Sequence, residues 1–171
     1  SWFAAADDSV LHVLMEVRQE TDYVVHHIQK VAAFFSAMRS FAGTLSANGH
    51  QVKYLNLGDP ENRQNFAENL SRIITETGAQ RFEYLAPDEY RLDRELRKTA
   101  GVLGVDCQVC DTEHFLTGRK DLGPFFAGKK TFRMESFYRY MRKKHKVLMD
   151  GKDPVGGRWN FDVKNRRAYD G

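Results

Sequence analysis

Val10-Leu11-His12-Val13-Leu14-Met15-Glu16-Val17 decides the fold. The run is almost continuously apolar, too short for a buried helix and bounded by polar residues. It reads as a strand buried on both faces of a parallel sheet. A helical pattern follows over 22–47. Val24, Ile28, Val31, Phe35, Met38, Ala42 and Leu45 recur at spacings of three and four and make one apolar stripe. Thr21 or Asp22 offers its N-cap, and Asn48-Gly49 its left-handed stop.

Working outward, the same unit recurs. Val52–Leu57 is a second strand, with Gly58-Asp59-Pro60 as the turn after it. A helix over 63–77 turns Phe66, Leu70, Ile73 and Ile74 inward and stops at Gly78. Arg81–Leu85 is a third strand. Pro87-Asp88 opens a helix with Leu92, Leu96 and Leu103 inward, and Asp106–Cys110 is a fourth strand. Strands near 10–17, 52–57, 81–85 and 106–110, alternating with helices, predict an α/β fold: a Rossmann-like open parallel sheet with helices on both faces.

After residue 111 the rhythm breaks. Residues 112–130 hold Gly118, Gly123-Pro124 and Gly128 and read as short helices and loops. Thr131 then caps a helix to about 148, with Met134, Phe137, Tyr138, Met141 and Leu148 inward and Arg139, Arg142, Lys143 and Lys146 outward. The expected organisation is a core at 1–111, an irregular segment plus basic helix at 112–149, and a connector at 150–171. Trp159 and Phe161, two large rings in a turn-rich tail, are expected to be buried.

The chain has 171 residues, 42% hydrophobic and 29% charged, which is one domain's worth of globular sequence and excludes a wholly disordered chain. No apolar run approaches the roughly 20 residues of a membrane span. Two cysteines imply no disulfide framework and fit a reducing, cytoplasmic compartment. The N-terminus lacks a signal peptide's basic region. Charge is uneven: residues 1–118 are net −6 and 119–146 net +8. The basic stretch reads as a face for a polyanion, as one for an acidic neighbouring domain, or as a solvated helix face.

Individual motifs are weaker. Cys107-x-x-Cys110 lies in a strand, where residues three apart point to opposite faces, so a redox or zinc role is disfavoured. His26-His27 diverge on the expected helix and have no metal-ligating partner at i+4. There is no G-x-G-x-x-G and no Walker-type loop. Gly156-Gly157-Arg158 reads as a glycine turn before an anion nest. Glu16–Asp22 is more telling. It joins the carboxyl end of a buried strand to a helix, which is where open α/β sheets bind ligands. Glu20 there either accepts hydrogen bonds from a ligand or is a surface charge.

Five segments together carry a resemblance: Tyr23–Lys30, Phe35–Ala42, Glu89–Leu92, Met134–Arg142 and Leu148–Asp162. In order and spacing they resemble the N-terminal domain of the iron–sulfur bacterial cryptochromes and photolyases, the deoxyribodipyrimidine photolyase-related proteins. The resemblance implies an antenna domain binding 6,7-dimethyl-8-ribityllumazine. It also implies a separate C-terminal helical domain holding FAD and a four-iron cluster, which binds damaged DNA and repairs it with light or serves signalling. The family opens with a strand of the type Leu-Val-Leu-Gly-Asp-Gln-Leu, which has no match here, so a central strand is expected to be missing. Carried over position by position, the chromophore contacts fall on Glu20, Tyr23 and Phe34, with Met15 and Glu16 beneath at the strand end. Phe34 stands where the family has a smaller aliphatic residue. No catalytic residue or metal ligand is expected in this chain. The competing expectation is a stand-alone nucleotide-binding or basic interaction module of α/β fold without chromophore.

Overall fold

Four short strands alternate with helices along the first 110 residues, and the reason is local at each step. The computed structural model describes residues 3–112 and 114–161; Ser1, Trp2, Glu113 and the connector from Asp162 lie outside the described residues. Strand β1 (Leu11–Met15) is followed by a one-turn helix α1 (Arg18–Thr21) and the long helix α2 (Ile28–Ala47). Then come β2 (Gln51–Leu55), α3 (Phe66–Thr77), β3 (Arg81–Leu85), α4 (Tyr90–Ala100) and β4 (Asp106–Cys110). The fold is α/β. β1 and β2 run parallel, in register from Leu11 against Gln51 to Met15 against Leu55. β3 and β4 are hydrogen-bonded neighbours, so the four strands pair two by two among the described residues. The chain divides into two units, Ser1–Gln108 and Val109–Gly171.

Side chains end the helices as their chemistry dictates. Asn65 caps α3 by accepting from the Glu68 amide, and Gly78 closes it at φ 66°, the left-handed region open to glycine. Glu89 caps α4 by accepting from the Arg91 and Leu92 amides. The expectation for α2 is corrected. It begins at Ile28, six residues later than the periodicity predicts, with His27 as its cap through an Nδ1 that accepts from the Gln29 amide. Thr21 and Asp22 bond to each other instead, and residues 22–27 form an open turn. Val24-Val25 are β-branched and favour helix weakly. Contacts to Glu20 and Tyr23 from α4 hold the turn outside the helix.

The core of the first unit gathers Met15, Val17, Leu55, Leu70, Ile73, Tyr84 and Leu96, with Val13, Phe66, Phe82 and Leu92 packed on it. It thus draws on β1, β2, β3, α3 and α4. α2 adds Ala42 and Leu45 from its C-terminal half, while Ile28 and Phe34 of the first half are exposed.

Immediately after β1 a fully buried carboxylate organises the sheet's end. Glu16 is 0% exposed. Its oxygens accept from Arg39 Nε at 2.6 Å and Nη2 at 2.9 Å, from the Tyr54 hydroxyl at 2.7 Å and from the Leu57 amide at 2.9 Å. Its main chain is also fixed: the amide donates to the Leu55 carbonyl, and the carbonyl accepts from Asn62 Nδ2. Asn62 passes the network to buried Asn69, which donates to Asn62 Oδ1 and to Met15 Sδ. Burial alone would raise the Glu16 pKa, but the bonds from Arg39, Tyr54 and Leu57 outweigh it and hold the carboxyl below its ordinary value. The Tyr54 phenol, buried beside that carboxylate, is pushed up to about 12.

The second unit is built on rings. Helix α5 (Leu122–Phe126) and helix α6 (Met134–His145) bring Phe125, Phe126, Phe137 and Tyr140 together, with centroids 4.8–6.1 Å apart. A short antiparallel pair follows, β5 (Met149–Asp150) and β6 (Asp153–Pro154). Three expectations are corrected here. Met134, Tyr138 and Leu148 are exposed, because the buried face of α6 runs through Phe137 and Met141. Arg142 is buried, because its guanidinium donates to the carbonyls of Val147 and Leu148 past the helix end, where Lys146 turns left-handed. Phe161 is 58% exposed, lying on Gly156 beneath the Arg158 guanidinium, whereas Trp159 is mostly covered, as expected.

The Glu16 network generates a stability prediction. Glu16→Gln should destabilise the chain by about 2–3 kcal/mol, since charged hydrogen bonds to a buried group are lost. At this chain length that lowers Tm by very roughly 5–10 °C. Because the folded Glu16 pKa is depressed, its stabilisation is present above the unfolded carboxyl's pKa and is lost as pH falls through the folded value. Thermal melts from pH 7 downward should therefore show wild type and variant converging at acid pH. A gap that persists unchanged would contradict the assignment.

Candidate functional site

A cleft of about 460 Å³ opens where the first half of α2 stands off the core. Its floor is Val13, Met15 and Val17 from the end of β1, with Phe66 and Leu70 of α3, Tyr84 of β3 and Leu96 of α4. Its outer wall is Val31, Phe34, Phe35 and Met38 of α2, one helical face at spacings of three and four. Glu20, Thr21, Tyr23, His26 and Lys30 form a polar rim. The walls are therefore apolar, and the groups able to orient a ligand lie at one end. The volume lies within the range of about 300–1,000 Å³ typical of small-molecule sites.

The rim is held by Arg91 at the start of α4. Its guanidinium grips Glu20 in bidentate fashion at 2.7 and 3.1 Å, and lies 4.2 Å over the Tyr23 ring. Glu89, 3.2 Å away, steadies it further. Tyr23 also meets His26 edge to face, and Nδ1 of His26 lies 3.3 Å from Lys30 Nζ. The turn 22–27 is thus pinned at the mouth of the cleft by a residue about seventy positions away. Glu20 Oε1 also accepts from Gln19 Nε2, whereas Oε2 accepts from Arg91 and keeps a second lone pair for a ligand.

Of the residues singled out in the sequence, Met15, Glu20, Tyr23 and Phe34 come together around this cleft. Phe34 is 60% exposed and stands at the wall's outer edge, leaving the interior open. Glu16 is not among the lining residues, because all its acceptors face Arg39, Tyr54 and Leu57. Cys107 donates to the carbonyls of Ala100 and Val105, and burial with Asp106 nearby pushes its thiol pKa up, away from reactive thiolate. Among the described residues no group of three His, Cys, Asp or Glu side chains could hold a metal, and no helix is long and apolar enough to cross a membrane. Arg91, Lys30, Phe35 and Met38 were not recognisable as a set from sequence alone. The last three share the face of α2 that carries Phe34, but only the stand-off of that helix turns a core stripe into a wall.

The α/β unit thus carries an apolar cleft with a polar rim beside the end of β1. The chain belongs to the deoxyribodipyrimidine photo-lyase-related protein family, whose model matches residues 1–171. It is 40% identical over 155 residues to a (6-4) photolyase of Agrobacterium fabrum, an alignment covering 91% of this chain and 31% of that protein. It is 25% identical over 147 residues to the uncharacterized protein R852 of Acanthamoeba polyphaga mimivirus, covering 83% of this chain and 72% of that protein. The chain therefore spans about a third of the photolyase it matches.

The Arg91 clamp predicts a local effect. Arg91→Ala should leave the core folded but free the turn 22–27. Limited trypsin digestion at Arg18 and Lys30 should accelerate about fivefold, the ratio given by losing ~1 kcal/mol from a partly exposed ion pair. Unchanged cleavage at these two sites would show that Arg91 does not pin the turn.

Proposed function

We propose that this chain is the antenna-chromophore-binding domain of a photolyase- or cryptochrome-related flavoprotein, binding 6,7-dimethyl-8-ribityllumazine in the cleft beneath α2. The observation that carries the reading is the cleft itself: apolar walls around about 460 Å³, with the hydrogen-bonding groups gathered in Glu20–Lys30. A ribityllumazine has that same division, an apolar dimethyl edge and a polar ring edge with a hydroxylated chain. Glu20 would accept from the polar edge, with Tyr23 and Lys30 beside it, and Phe34 and Met15 would pack against the ring. The bound lumazine would absorb light; the chain's own residues bind it, orient it and keep water from its faces. A Rossmann-like sheet joining the β1–β2 and β3–β4 pairs is part of the same reading.

In the whole protein a separate helical domain would hold FAD and a four-iron cluster and act on damaged DNA, so this chain would contribute no catalytic group. The photolyase relative, of which the chain covers a third, supports that division of labour. The second reading, a stand-alone α/β module without chromophore, draws on the viral relative, most of which the chain spans.

Reconstitution with dimethyl-ribityllumazine, followed by fluorescence titration, separates the two. Wild type should bind with a spectral change. Glu20→Ala should weaken binding ten- to a hundredfold, the equivalent of roughly 1.5–3 kcal/mol for a charge-assisted hydrogen bond. No uptake by wild type would favour the stand-alone module. Undiminished binding by Glu20→Ala would remove Glu20 as the anchor.

A further inference from the structure

We propose that residues 3–9 form an acid-released strap: Phe3 holds it over the end of α2 against His12 and His50, and protonation of His12 lets it go. The device uses no residue of the cleft, so it stands apart from any chromophore. His12 lies in β1 opposite Val52, and His50 directly precedes β2. Their rings meet edge to face with centroids 5.1 Å apart. Phe3 rests on this pair. Its ring stands 5.3 Å from His12 and 6.4 Å from His50, and it meets Phe41 of α2 edge to face at 5.3 Å. Further along the strap, Gln51 Nε2 donates to the Asp8 carbonyl at 2.8 Å, and Ala6 lies beside Gly49. The strap borders a cavity of about 300 Å³ whose other walls include Phe41, Thr44, Leu45 and His50.

Ring packing carries much of this contact, so the charge of the imidazoles matters. His50 is 7% exposed and His12 is partly buried. Among the described residues neither imidazole makes a hydrogen bond or an ion pair. The charged groups around them do not change that. On the strap, the Asp7 carboxylate is taken by the amide and hydroxyl of Ser9, and Asp8 is exposed. Residues 40–48, the end of α2 and its cap, carry no charge. On β1, Leu11–Met15 has no titratable group besides His12. On β2, Lys53 turns to Glu61 and Glu76. An imidazolium here would therefore lose water and meet a second imidazole, with no ion pair in compensation.

Burial first, and His50 second, hold the His12 pKa below its ordinary value of 6.5. A released His12 is an ordinary histidine and takes up its proton sooner. The strapped state is thus fully favoured above about 6.5 and loses ground as pH falls from there towards the strapped value, by at most about tenfold per pH unit for one proton. What yields is the strap. β1 is held by its five-residue ladder with β2, whereas residues 3–9 are exposed. Release opens the cavity and uncovers Phe41 and Leu45 at the end of α2.

NMR of the nitrogen-15-labelled 171-residue chain from about pH 7.5 to about pH 5 tests this. The heteronuclear NOE of residues 4–9 should fall from ordered to mobile values, tracking the titration of the His12 ring, while residues 66–77 stay unchanged. His12→Phe keeps a ring and removes the proton, so the strap should stay ordered throughout. If that variant fails to fold, His12→Gln must abolish the pH dependence instead. Linkage is reciprocal, so Phe3→Ala, which loosens the strap, should move the His12 titration up towards about 6.5. A strap equally ordered at both ends of the range, a pH dependence that survives removal of His12, or a His12 titration that Phe3→Ala leaves in place would each overturn the proposal.

Discussion

The buried carboxylate of Glu16 is the constraint around which the first unit is arranged. A carboxylate with no contact with water must have its acceptors filled, and here four donors fill them from Arg39, Tyr54 and the Leu57 amide. Those donors come from α2, from β2 and from the loop after β2. The residue therefore fixes where β1 ends, holds β2 beside it and tethers α2 near its middle. The Asn62–Asn69 relay carries the same network to α3 and to the sulfur of Met15. The pair's value lies in position more than in energy, because Arg39 is itself more than half exposed.

The tether also explains the cleft. Beyond Arg39, Ala42 and Leu45 bury α2 on the sheet. Before Arg39 the helix carries large side chains, Phe34, Phe35 and Met38, and is not drawn onto the core. Its N-terminus is further set back by the turn 22–27, which Arg91 holds to α4 through Glu20 and Tyr23. Two arginines, one inside the helix and one opposite its start, thus keep an apolar slot open. Leaving apolar walls unfilled forgoes roughly 25 cal/mol for each Å² not buried, a cost that a ring-shaped ligand would recover.

Much of this fold was legible. The four strands are apolar runs bounded by turn residues, and Gly78 names the end of α3 directly, whereas α4 is capped by Glu89 rather than Pro87-Asp88 and ends at Gly101, before Leu103. What was not legible depends on distant partners. The periodicity through Val24 predicts a helix from residue 22, but nothing local reveals that Arg91 claims Glu20 and Tyr23 from outside it. On α6 an apolar stripe through Met134 and Tyr138 is as regular as the true one, and only the ring cluster around Phe137 decides which turns inward. Arg142 reads as a surface charge until the carbonyls it serves are seen. At the site, Glu20, Tyr23, Phe34 and Met15 could be named from the family resemblance. Lys30, Phe35 and Met38 could not, since a residue lining a cleft and one filling a core have the same spacing.

The stand-off of α2 is the proposed binding site, and hydrogen–deuterium exchange of the chain with and without saturating dimethyl-ribityllumazine tests it. A ring held there should slow exchange in 20–38 and at the end of β1, where ring and rim would be contacted, and leave residues 134–145 unaffected. Exchange unchanged in α2, or protection confined to the second unit, would contradict it.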